Sequence, residues 1–156
     1  MKNKFFKILA YLTLLVVVNN CGYQPLLTEK YQKFSVKSYN LSGNKKLGQR
    51  LSNKFSKIED TKEKLVFNIH STKTRGVSNR SASGSALEYN LNIVFELEAI
   101  SSSTNEVIFK KSFSEKSSYK ASNLHINTLN REKKIIDNTV NNIADQITTQ
   151  LNLVFR

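Results

Sequence analysis

The chain has 156 residues, a formal net charge of +12 and a single cysteine. One cysteine excludes an internal disulfide, so an exported domain must be held together by its core alone. The charge points to an anionic partner: nucleic acid, acidic lipid or acidic polysaccharide. In chain order, Lys2, Lys4 and Lys7 form a basic start, and Ile8 to Val18 a mostly apolar run. That run is short of the ~20 residues a membrane span needs, and it suits the apolar region of an export signal. The run leads to Cys21-Gly22, which reads as a bacterial lipoprotein signal. This predicts a signal peptide over 1–20, a diacylglycerol and an N-acyl chain on Cys21, and a tether through residue 32. Several acyl chains at ~0.8 kcal/mol per buried methylene give a stable anchor. Asn20 stands where such signals favour a small residue. An uncleaved signal anchor beginning near Phe5, or an ordinary secretory signal, are the alternatives. The first twenty residues carry three lysines and no acid, so the remaining 136 hold +9. That length supports one domain with a real core, and export makes nucleic acid the poorer partner.

Residues 22–32, with the only proline at Pro25, extend at most ~35 Å. Alternation around Phe34 and Val36 predicts a strand over 33–41. Ser42 or Asn44 then caps a helix over 45–58, whose Leu47, Leu51, Phe55 and Ile58 form one stripe. Leu65, Phe67 and Ile69 open a second strand, and Gly76 to Gly84 has the composition of a flexible loop. Leu87 to Ala99 is the clearest signal: Leu87, Tyr89, Leu91, Ile93, Phe95 and Leu97 alternate with mostly polar residues. This predicts a long strand with one buried and one wet face. Val107, Phe109 and Phe113 carry a returning strand after a polar turn, making a hairpin, and 116–126 reads as a linker. Leu129, Ile136, Val140, Ile143, Ile147, Leu151 and Val154 step at helical spacing over 128–154. The order β-α-β-β-β-α implies an α+β, two-layer sandwich. It has about four strands in one sheet and two amphipathic helices on one of its faces, forming a single domain over 33–156.

No catalytic constellation or metal-ligand spacing stands out: His70 lies on the polar side of a strand and His125 in a linker. The reading is therefore a binding protein with no catalytic residue, metal or cofactor. What stands out is a change of character along the second strand. Leu65, Phe67 and Ile69 are followed at the same parity by Ser71, Lys73 and Arg75, and no acid occurs between Lys64 and Glu88. Lys73, Arg75 and Arg80, with Lys111 from the returning strand, form a candidate site for an anionic lipid, because Arg and Lys make charge-assisted bonds to phosphate. The bland reading is solvated strand-end charges that blunt an edge. Such charges contribute little to stability, so Lys73→Glu with Arg75→Glu is expected to weaken lipid binding and leave unfolding nearly unchanged.

Three stretches carry a family likeness: Cys21-Gly22-Tyr23-Gln24-Pro25-Leu26; Ala86-Leu87-Glu88-Tyr89-Asn90-Leu91; and Ser118-Tyr119, Leu129-Asn130-Arg131-Glu132, Ile143-Ala144-Asp145-Gln146-Ile147 and Leu151. In order and spacing they resemble the LptE family, the outer-membrane lipoproteins of lipopolysaccharide transport, in its alphaproteobacterial form. The resemblance implies a lipid-anchored protein on the periplasmic side of the outer membrane. It also implies a partner, the LptD β-barrel, which such proteins plug and help assemble, and lipopolysaccharide as ligand. The competing readings are a free-standing periplasmic lipoprotein that binds an acidic glycan or lipid, a transporter accessory, and an exported enzyme.

Overall fold

A computed structural model describes residues 32–55 and 63–155. The signal segment, Cys21, most of the tether and the predicted helical residues 56–58 lie outside the described residues. The elements are β1 (Phe34–Gly43), α1 (Lys45–Ser52), β2 (Glu63–Arg80), β3 (Ala86–Ser101), β4 (Val107–Lys120) and α2 (His125–Val154). They build the expected α+β domain, with one four-stranded sheet in the order β1-β2-β3-β4. β1 runs parallel to β2, and β2, β3 and β4 form an antiparallel meander.

The period-two pattern of β3 sets the core. Leu91, Ile93, Phe95, Leu97 and Ala99 are buried, and Phe34, Phe67 and Phe95 are wholly inaccessible. Leu47 and Leu51 of α1, and Val140, Ile143, Ile147 and Leu151 of α2, close the same cluster, so both helices lie on one face of the sheet. Asn44 caps α1, its side chain accepting from the Leu47 amide at 3.1 Å. The opposite face carries Asn68, His70, Glu96 and Glu98, and Glu96 is exposed. Glu96→Ala will stay within ~0.5 kcal/mol of the wild type in denaturant unfolding. A larger loss would mean that the face assignment of β3 is wrong.

Two stretches depart from expectation. β2 runs on to Arg80, through most of the segment read as a loop, and β4 runs through 116–120, read as a linker. Gly76, Ser78 and Asn79 have poor strand propensity, and the Ser/Lys-rich end of β4 is no better. Both are held by β3, which pairs Val77 with Tyr89 on one side and Tyr119 with Tyr89 on the other. The connection between β2 and β3 shrinks to 81–85, closed by Ser81 N donating to Ser85 O at 2.8 Å, with Gly84 at φ +84°. α2 begins at His125, earlier than its stripe predicts, and Leu129 is 41% exposed.

Candidate functional site

The register of the meander assembles the site. Lys73 lies beside Ile93, Arg75 beside Leu91 and Val77 beside Tyr89 on β3; Tyr89 in turn lies beside Tyr119 of β4. These positions share the helix-facing side, and here the first turns of α2 bring down Glu132, which is 8% exposed. Lys73 Nζ donates to Glu132 Oε1 at 2.8 Å and Tyr119 Oη to Oε2 at 2.7 Å, while Arg75 Nε stands 3.4 Å from Oε2. The Arg75 guanidinium lies 3.8 Å from the centre of the Tyr89 ring and 5.9 Å from that of Tyr119, and the two rings stack at 5.5 Å. A cation over an aromatic face gains ~0.5–1 kcal/mol at an exposed site and more when desolvated.

Burial alone would raise the Glu132 pKa. The hydrogen bonds from Lys73 and Tyr119, and the charges of Lys73 and Arg75, outweigh it and hold the carboxyl below its ordinary 4.5. Burial, helped by the bond to Glu132, pushes the Tyr119 phenol up to about 12. A carboxylate with a folded-state pKa below its unfolded value stabilises above that unfolded value. The contribution fades as pH falls through the folded one. Stability will therefore be retained at neutral pH and decline below about pH 4.5. Glu132→Gln will flatten that decline in denaturant unfolding measured from pH 7 to 3; an unchanged acid limb would show that Glu132 is not the titrating group.

The four cations proposed from the sequence do not form one site. Lys73 and Arg75 meet at Glu132. Arg80 ends β2 beside Ala86, five positions on, and its Nη1 donates to Gly84 O at 2.9 Å. Lys111 lies beside Leu97, four positions along β4 from the residue level with Lys73, about 13 Å at strand rise, and its Nζ stands 5.7 Å from the centre of the Phe113 ring. The expectation that Lys73 and Arg75 stand as free cations is corrected: an internal carboxylate already engages both. Sequence reasoning missed Glu132, yet the signal was there. The stripe of α2 steps by seven from Leu129 to Ile136, and Glu132 fills the place that the helical period leaves between them.

The outer face holds a groove of about 610 Å³. A polar ladder crosses it. Asn40 Nδ2 donates to Asn68 Oδ1 at 2.8 Å, Asn68 Nδ2 to Glu98 Oε2 at 2.9 Å, and Lys110 Nζ to Glu98 Oε1 at 3.0 Å. These groups satisfy one another.

No family model matches the chain, and no curated protein matches it in sequence. Solved structures match it in fold. A minor lipoprotein from Acinetobacter baumannii superposes with a TM-score of 0.52 at 19% identity, covering 78% of this chain and 92% of that one. The chain shares the architecture of that structure. An uncharacterized lipoprotein B from Nitrosomonas europaea gives a TM-score of 0.52 at 11% identity, covering 84% of this chain and 90% of that one. In both cases the likeness takes in nearly the whole partner chain. At such identities it is a likeness of architecture, not of particular residues.

Proposed function

We propose that this chain is an outer-membrane lipoprotein of the LptE type, a non-catalytic plug and assembly factor for an LptD-type β-barrel that binds lipopolysaccharide during its delivery. The observation that carries the reading is the fold shared along its length with lipoproteins, joined to a Cys21 that ends an export-like segment. The Lys73–Arg75 pair, two cations converging on one carboxylate beside stacked aromatic rings, offers phosphate-type chemistry next to apolar surface. Val77, Leu87 and Leu124, exposed at the same end of the sheet, supply that surface.

Two measurements test the reading. Intact-mass analysis of the membrane-extracted protein will show Cys21 as an acylated N-terminus; retention of residues 1–20 would overturn the lipid anchor. Mild-detergent extraction followed by mass spectrometry will recover an outer-membrane β-barrel. Recovery of the chain alone would favour the free-standing lipoprotein. For the ligand, Lys73→Gln with Arg75→Gln will weaken lipopolysaccharide binding. Glu132→Gln will tighten it several-fold, because the neutral amide competes less well than a carboxylate for the two cations. Equal binding by all three proteins would remove the site.

A further inference from the structure

Parallel pairing of β1 with β2 stops at Gly43 and Ser71. Gly43 adopts φ +70°, and a side chain there would run into the Ser71 carbonyl. The chain therefore leaves the sheet, and Asn44 N donates to Ser71 O at 2.7 Å as α1 begins. β2 continues for nine residues, Thr72 to Arg80, all exposed. Among the described residues no strand lies on the side that β1 vacates. Ser71 O points to that side. Polar groups of a strand alternate between its two edges, so the N–H and C=O groups of Lys73, Arg75 and Val77 point there too.

Proteins usually guard such an edge with charged side chains that swing across it. The outer edge, β4, has exposed Lys116 and Lys120 for this role. On β2 the two cations are tied down inside, Lys73 and Arg75 to Glu132. The outward positions Thr72, Thr74 and Gly76 are small. The backbone edge is left unguarded, while cations flank its ends: Lys45 and Lys46 where β1 departs, and Arg80 at the far end.

We propose that the Thr72–Arg80 edge of β2 receives an extended, acidic peptide segment of a partner protein as a fifth strand in line with β1. Only a strand satisfies a row of backbone donors and acceptors, and acidic residues at its ends would answer the flanking cations. A second copy of the chain would place like charges opposite each other. The inference is independent of lipopolysaccharide binding.

The test is amide hydrogen exchange on the full-length chain in detergent. The probe is a synthetic peptide of alternating threonine and valine with two glutamates at each end. The expected result is slowing of about tenfold or more at Lys73, Arg75 and Val77. The same peptide with lysines in place of the glutamates will give little, and its fully N-methylated form none. Arg75→Pro will abolish the protection and Arg75→Ala will keep it, because the two differ in the backbone N–H and not in the lost guanidinium. No slowing, equal slowing by the lysine peptide, or slowing that survives N-methylation or the proline overturns the proposal. Protection of the same amides that rises with protein concentration in the absence of peptide overturns it in favour of self-association. If Arg75→Pro does not fold, the N-methylated peptide on the wild-type chain decides.

Discussion

Phe67→Ala or Phe95→Ala will lower the free energy of unfolding by about 3–5 kcal/mol, the range for deleting a buried phenyl ring and leaving a cavity. Both side chains are wholly inaccessible. Phe67 packs at 6.0 Å from Phe34, 5.4 Å from Phe55 and 6.0 Å from Tyr39, ring centre to ring centre, so it joins β1, β2 and the turn after α1. Phe95 sits in the central run of β3, beside Phe113. Leu91→Ala and Ile93→Ala will cost about 2–5 kcal/mol by the same mechanism. Denaturant titration at neutral pH checks all four. Losses no larger than that of Glu96→Ala would mean that the core is not where the packing places it.

Glu132→Ala will cost about 2–3 kcal/mol, because it strands two cations and a phenol that share one carboxylate. The value lies below the range for fully buried pairs, since the Lys73 and Arg75 side chains are 31% and 32% exposed and water recovers part of the loss. A Glu132→Ala, Lys73→Met double-mutant cycle measured by unfolding will show coupling of about 1 kcal/mol or more; additivity would show that the pair is ornamental to stability. The same geometry changes what charge reversal does. Lys73→Glu with Arg75→Glu would gather three carboxylates around Tyr119, so it destabilises the fold as well as the site. The small stability effect expected from the sequence does not hold there.

Element order, the hairpin and the buried faces of β3 and α2 were legible because burial on one side of a regular element writes a period into the sequence. Thirteen alternating residues leave little choice of face. The far halves of β2 and β4 were not legible, because their pairing comes from β3 rather than from their own residues. Gly76, Ser78 and Asn79 look like a loop until a partner strand lies beside them. For the site, the sequence showed the switch from apolar to basic at Ser71, Lys73 and Arg75. It did not show that Arg80 and Lys111 diverge, since that depends on register. Nor did it show a neutralising carboxylate contributed by a helix almost sixty residues downstream of Lys73.

The parallel pairing of β1 bears on the order in which this domain assembles and opens. β2, β3 and β4 are joined by short turns, so their pairing closes small loops early at little entropic cost. β1 joins only through a crossover that carries α1 and the segment after it, and its partner residues lie about thirty positions away. We expect β1 and α1 to dock last and to exchange their amides first, as a unit, while the meander under α2 stays closed. Because the N-terminal segment enters through β1, a pull from that direction would load the last-assembled part of the molecule before the part that holds Lys73, Arg75 and Glu132.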